Sequence, residues 1–354
     1  MSTAFIMIPG ASLPLDRYTK LQSEDIAQLT SIMGEANRAT SLPMPFETFE
    51  RLPHMVWLWQ GLSMSKEPPS TAPWLWQSMG AHPIAPELWS LTPLSVVHGD
   101  IVECLEFTPE EIPQLLVGLE SVLFDEGFRL QVWDQALFAS RAEPWPAATM
   151  PAMGVLGMSY QDIVTVGECD RHRLLCEKLT EAVNKTGINQ VRREKGLPII
   201  DMLFLNGGGT YHRINPPTLT RSVATDNPVV RSWAEAAGIM PEYLTDTSAL
   251  TWPANTPQGD VIVVLEDLLK PYLLNEMTAW RSALPEVAKK VNAFREAAKA
   301  REHESIIVIA GGAQRIVFLT QKKESFMKKL FSGKKPPMSP DIWCPEYTPE
   351  THQP

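Results

Sequence analysis

The chain has 354 residues, and 31 Lys+Arg against 41 Asp+Glu leave a net charge of −10, which excludes a nucleic-acid footprint over the whole molecule. At roughly 150 residues per domain the length sets about two domains and is enough to bury a sizeable core. Only 20% of residues are charged while Pro (31) and Trp (11) are in excess, so long aromatic-studded connections are expected. Met1 to Gly10 is apolar, lacks a basic leader and meets Pro9-Gly10 at once, which predicts a first β-strand instead of a signal peptide. Ser23-Glu-Asp-Ile26 predicts the start of a short helix with Ile26, Leu29 and Ile32 on one side. Residues 41–92, with Trp57, Trp59, Trp74, Trp76 and Trp89 among many prolines, predict an irregular segment wrapping the core, its rings either packed under loops or exposed as a stacking platform.

Val96–Phe107 reads as a strand. Thr108-Pro109-Glu110-Glu111 then opens a helix whose apolar face is Leu115, Leu116, Leu119, Val122 and Leu123, stopped by Gly127. Arg129–Asp134 and Ala136–Ser140 resemble a hairpin, which completes a β-α-β-β module. A further helix is expected over 170–186, with Leu175, Leu179, Ala182 and Val183 inward and Gly187 past its end. Asp260–Leu265 is a buried strand type, Ala279–Lys299 a long amphipathic helix, and Ile306–Ala310 with Arg315–Thr320 a hairpin. These elements predict a mixed α/β fold, a mixed sheet with flanking helices. The expected division is 1–92, 93–215, 216–335 and a flexible tail at 336–354.

Four cysteines (Cys104, Cys169, Cys176, Cys344) are too few for a disulfide scaffold and suit a reducing cytoplasm. Cys169 and Cys176, seven residues apart on one helix, lie about 10 Å apart along its axis and are expected as free thiols. No apolar run approaches the roughly 18 residues of a membrane span. The expected protein is therefore cytoplasmic, with no transmembrane segment and no nucleic-acid partner.

The sharpest chemical cluster runs from Gly187 through Asn189, Arg192, Arg193, Lys195, Gly196 and Asp201 to Gly207-Gly208-Gly209. Guanidiniums offer bidentate contacts to carboxylate or phosphate, and glycine backbone exposes N–H donors, so this cluster is a candidate site for a small anion. The residues after the glycines, Thr-Tyr-His-Arg-Ile-Asn-Pro-Pro, cannot open a helix, so neither a P-loop nor a dinucleotide fingerprint is met. The plainer alternative is turn glycines and surface arginines. Cys169-Asp170-x-His172-x-x-x-Cys176 and His98-Gly-Asp100 are weaker groupings with no common metal or catalytic spacing. Arg315 to Lys335 holds seven Lys/Arg and one Glu, a local charge of +6; it is either a solvated face or a docking segment for a protein partner or an acidic surface.

The Asn189–Gly209 run resembles a motif shared by archaeal-type cofactor-independent phosphoglycerate mutases and a proteobacterial family labelled RpfE-type regulatory protein. Asn189, Arg192, Gly196 and Gly207 to Gly209 match it in type and spacing. Thr186-Gly187 stands for its His-Pro, Asp201 for its second Asn, and Phe204 and Asn206 for its two Trp. The resemblance, which extends over about two-thirds of the chain in order of elements, implies an alkaline-phosphatase-like remnant carrying the β-α-β-β module. It implies Asn189, Arg192 and the three glycines as ligand contacts, with Arg193 and Lys195 supplying field and Asp201 orienting. Active mutases of that class use two divalent metals held by about six Asp/His ligands. Here the first strand ends in Pro9-Gly10, and no Asp-His dipeptide occurs. The expectation is thus a catalytically degenerate, regulatory protein without cofactor that binds a small phosphorylated or carboxylated metabolite, with no catalytic residue assigned. The alternatives are an active mutase using Mn or Mg, and an interaction adaptor using segment 41–92 and the basic tail.

Overall fold

The computed structural model describes residues 2–43, 46–82, 85–97, 99–211, 214, 220–239, 241–242, 244, 259–312, 315–322 and 338–344. In chain order the elements are strand β1 (Thr3–Pro9), helices α1 (Leu15–Tyr18) and α2 (Ser23–Met33), strand β2 (Arg38–Pro43), helices α3 (Pro53–Ser63) and α4 (Ala72–Ser78), strands β3 (Glu87–Val97) and β4 (Ile101–Cys104), and helix α5 (Ile112–Asp125). Strands β5 (Arg129–Trp133), β6 (Ala136–Arg141) and β7 (Ala147–Thr149), helix α6 (Ala152–Val155), strand β8 (Thr165–Gly167), helices α7 (Cys169–Lys185) and α8 (Ile188–Glu194), and strands β9 (Met202–Thr210) and β10 (Thr220–Ala224) follow. The chain closes with helix α9 (Pro228–Ala236), strands β11 (Pro241–Glu242) and β12 (Asp260–Val264), helices α10 (Leu269–Leu273) and α11 (Met277–Ala300), and strands β13 (Ser305–Gly311) and β14 (Arg315–Lys322). The fold is mixed α/β, as the sequence predicts. No helix among the described residues is long and apolar enough to cross a membrane.

Two compact units form. The first takes the described parts of Met1–Pro45, Glu50–Lys66 and Ile214–Pro354, and the second those of Phe46–Phe49 and Glu67–Arg213. The first unit holds a sheet of order β11-β10-β12-β1-β13-β14-β2. β1 pairs in parallel with β12 and β13, and β10 with β11 and β12, whereas β14 runs antiparallel to β13 and β2. The near-continuous apolar runs of β1, β12 and β13 suit strands covered on both faces. α3 packs with α9 through Trp59 and Trp233, ring centroids 5.2 Å apart, and α11 packs with α2. The connection β10-α9-β11 runs outward, while β12-α10-α11-β13 runs the opposite way across β1. Right-handed crossovers in opposite directions lie on opposite faces, so β10 and β12 flank a topological switch point.

The second unit is an antiparallel sheet of order β4-β3-β6-β5 with β9 also paired to β3. Leu115, Leu119 and Leu123 of α5 and Leu175, Leu179 and Val183 of α7 are buried with Leu203 and Leu205 of β9 in its main core. Each such side chain contributes about 1.5–3 kcal/mol. On another small core, α4 places Trp76 with Leu88 and Phe138.

Several sequence expectations are corrected. The described residues of 41–92 are not irregular throughout: Pro53 and Pro73 take first-turn positions of α3 and α4, where the missing N–H costs nothing. Trp74, Trp76 and Trp89 are buried, so they form no exposed platform. The described residues of 67–92 lie with the β-α-β-β module in the second unit, while β1 and β2 share the first unit's sheet with β12, β13 and β14. The single strand expected at Val96–Phe107 divides into β3 and β4 at a turn through Gly99, whose φ is +93°. α5 runs from Ile112, one turn after the expected cap, yet Glu111 accepts the Thr108 N–H at 2.9 Å, the bond by which a third-position Glu reaches back to an N-cap. In the segment expected as a flexible tail, Pro340–Trp343 forms a 3-10 turn with Trp343 buried, and its carbonyl accepts the Leu13 N–H at 2.8 Å. Of the basic segment, Arg315–Lys322 is β14; residues 323–335 lie outside the described residues.

Candidate functional site

The Asn/Arg part of the sequence cluster locks α8 to the segment leading into β9. Asn189 is buried; its Nδ2 donates to the Ile200 carbonyl at 2.8 Å and to Asn184 Oδ1 at 2.9 Å, and its Oδ1 accepts the Ile200 N–H at 2.8 Å. Arg192 is 3% exposed. Its Nε donates to Glu111 Oε1 at 2.6 Å and its Nη2 to Glu111 Oε2 at 2.8 Å, a bidentate pair. Further bonds reach the Glu106 carbonyl at 2.7 Å and the Pro198 carbonyl at 3.0 Å. A guanidinium this deep must be fully paired, and the protein itself pairs it. Arg193 and Lys195 are exposed. Asp201 Oδ2 accepts the Val96 N–H at 2.8 Å, stapling the start of β9 to β3.

The glycine part lies elsewhere. Gly207 to Gly209 continue β9 as strand residues, seven residues beyond Asp201 at Gly208, about 23 Å at ~3.3 Å per residue. The structure therefore does not bring Asn189, Arg192 and the glycines together. The Gly207 carbonyl accepts the Thr71 N–H at 3.0 Å, and its N–H donates to Thr149 Oγ1 at 3.2 Å. A Cβ on Gly208 would enter the Trp89 indole, and one on Gly207 would meet the Thr71 hydroxyl. These glycines are spaces filled by the protein's own side chains.

Of the weaker groupings, only His172 and Cys176 meet, with Cys176 Sγ 3.7 Å from His172 Nε2, and no third ligand-type side chain joins them among the described residues. His172 is buried and its Nε2 donates to the Leu205 carbonyl at 2.6 Å, a role assigned from that acceptor. Cys169 Sγ turns to the carbonyls of Thr165 and Gly167 at 2.9 and 3.3 Å. Burial pushes the Cys176 thiol up to about 12, and both cysteines are free. His98 lies outside the described residues.

Burial also lowers the His172 pKa, with the Leu205 carbonyl opposing, and burial raises that of Glu87, against hydrogen bonds from Trp89 and Trp145. For the depressed histidine, stability is present above the unfolded value of about 6.5 and is lost as pH falls through the folded one. Glu87 acts oppositely, contributing most at low pH and losing it as pH rises through its elevated value. His172→Leu is therefore expected to flatten the fall in melting temperature below about pH 6.5. Calorimetry between neutrality and mild acid checks this; an unchanged slope contradicts it.

A polar group that sequence reasoning missed stands at the carboxyl edge of the first unit's parallel strands. Asn227 follows β10, caps α9 by accepting the N–H groups of Val229 and Val230 at 3.0 and 3.2 Å, and donates through Nδ2 to Glu266 Oε1 at 2.8 Å. Glu266 follows β12. His54 of α3 is 1% exposed, its Nε2 lies 3.7 Å from Glu266 Oε1, and that nitrogen has no hydrogen-bond partner among the described residues. Gly10, after β1 with φ +80°, has no room for a Cβ, which would lie 2.6 Å from the Leu268 carbonyl oxygen. The β1 and β12 ends are thus packed together beside this group. Crevices outside the carboxyl ends of strands at a switch point are where open α/β sheets take ligands. Signals existed in sequence: Asn227-Pro228 is an N-cap with proline at N1, and Glu266-Asp267 directly follows a buried strand. His54 carried none.

The two-metal centre that the mutase resemblance implies does not fit these residues. Glu266 and His54 supply two donors of about six. Asp226 accepts the Leu244 N–H at 3.0 Å, and Asp267 pairs with Lys290 at 2.6 Å. Among the described residues no three His, Cys, Asp or Glu side chains gather as ligands would.

No protein-family model and no curated protein matches the chain. Among solved structures it is similar to a cofactor-independent phosphoglycerate mutase from Thermoplasma acidophilum DSM 1728, with 12% identity and a TM-score of 0.46 over 92% of this chain and 90% of that one. It is also similar to the PH0037 protein from Pyrococcus horikoshii, with 13% identity and a TM-score of 0.45 over 91% of this chain and 87% of that one.

Proposed function

We propose that the protein is a phosphoglycerate-mutase-like binding protein of the RpfE-type branch. It takes a small phosphorylated or carboxylated metabolite at the carboxyl edge of its parallel sheet, in a regulatory role without metal-dependent phosphoryl transfer. The observation that carries this reading is the buried Nε2 of His54, without a hydrogen-bond partner among the described residues, beside Glu266 at the switch point. An unsatisfied buried polar group costs about 1–3 kcal/mol, which a ligand oxygen recovers. A hydroxy acid or its phosphate ester suits the group. The imidazole Nε2–H donates to an anionic oxygen, while Glu266, held by Asn227, accepts a hydrogen bond from a ligand hydroxyl.

Loss of phosphoryl transfer is supported by Pro9-Gly10 at the first strand end, where the mutase pattern requires an aspartate. The test is thermal shift with 3-phosphoglycerate and related phosphosugars. Ligand at 100 times its Kd is expected to stabilise the wild type by about 2.7 kcal/mol, and the effect should vanish in Glu266→Gln and His54→Gln. No shift in the wild type, or an equal one in both variants, contradicts the reading. Mutase turnover with Mn²⁺ contradicts its second half.

A further inference from the structure

Within the second unit, a cleft of about 670 Å³ opens on the sheet face that α4 partly covers. Its origin is legible in the strands. Ser90 pairs with Phe138 across β3 and β6, and strand alternation puts Thr92 and Ala136 on the same face. Three small side chains therefore form a floor. α4 has seven residues, about 10 Å at ~1.5 Å per residue, too short to roof that floor. Met79, just past α4, makes one wall and Trp133 of β5 the other. Trp133 is 41% exposed, and its ring and that of Trp76 pack edge-to-face at a centroid distance of 5.7 Å, so the indole is held with part of its surface open.

The charge around this cleft has one sign. Glu106 and Asp134 line it, and no Lys or Arg does. Glu106 is fixed through its own carbonyl, which accepts from Arg192, and Asp134 sits in the β5–β6 turn with φ +54°. Neither carboxylate makes an ion pair with a described residue. An apolar cavity within the roughly 300–1,000 Å³ range of small-ligand sites, one open indole and two carboxylates complement an organic cation with an apolar body.

We propose that this cleft is a binding site for an aryl-alkyl or similarly amphipathic amine, its ammonium against Glu106 and Asp134 and its apolar body beside Trp133. Cation–π attraction and apolar burial act together there. The site lies in the other unit from the carboxyl-edge group and does not depend on it.

Titration calorimetry of the full chain with 4-phenylbutylamine, and with 4-phenylbutyrate as its charge-reversed counterpart, tests the proposal. The amine is expected to bind at least about tenfold more tightly than the acid, and Trp133→Ala to weaken it at least about fivefold. The double variant E106Q/D134N is expected to remove the preference for the amine. Asn takes a left-handed φ as readily as Asp, so that variant preserves the turn. No amine binding, equal binding of amine and acid to the wild type, equal affinity in Trp133→Ala, or an undiminished preference in the double variant overturns the proposal.

Discussion

Arg192→Ala is expected to lower the unfolding free energy by about 3–5 kcal/mol. The change strips the bidentate partner from Glu111, whose side chain is 8% exposed, and leaves a buried carboxylate unpaired. It also removes the donors to the Glu106 and Pro198 carbonyls. Arg192→Lys should fall in the same direction, because one ammonium cannot reproduce a planar fork reaching three groups. Arg192→Met combined with Glu111→Leu should recover most of the loss, since apolar residues of similar volume commonly replace a buried ion pair without penalty. Urea unfolding of the three variants and the wild type measures this. A near-wild-type Arg192→Ala that instead loses affinity for 3-phosphoglycerate would return Arg192 to the role of ligand contact.

Gly208→Ala is expected to cost about 3 kcal/mol or more, at or beyond the upper end of ordinary overpacking. The added Cβ falls within the Trp89 indole. That ring is fully buried, donates through Nε1 to Glu87, and packs at a tilt against Trp145 with centroids 5.3 Å apart, so it has nowhere to go. The backbone at 208 is not in the left-handed region, so the penalty is steric. Trp89→Leu should therefore cost less in a Gly208→Ala background than in the wild type, a coupling that a double-mutant cycle reads directly. If Gly208→Ala is neutral in stability, the close approach of β9 to Trp89 is wrong.

Much of the fold was legible because periodicity survives tertiary packing. The α5 and α7 faces, the β13–β14 hairpin and the left-handed glycines at 127 and 187 all follow from local pattern. Proline counts misled over 41–92, since a proline at a helix start and one in a loop look alike until the next turn of helix is seen. The chemical cluster misled for a related reason. Asn189 and Arg192 resemble anion ligands in type and spacing, yet burial turns the same hydrogen-bonding capacity inward, and no sequence pattern distinguishes a guanidinium paired by Glu111, 81 positions away, from one awaiting a ligand. The carboxyl-edge group was hard to see because its members are 54, 227 and 266, joined only by the parallel strand order.

Hydrogen–deuterium exchange of the full chain with and without saturating 3-phosphoglycerate tests most directly where the ligand is held. Protection is expected in peptides covering His54, Asn227 and Glu266, with none gained around Asn189, Arg192 or Gly207–Gly209. Protection that falls on the latter residues, or nowhere, would contradict the carboxyl-edge site.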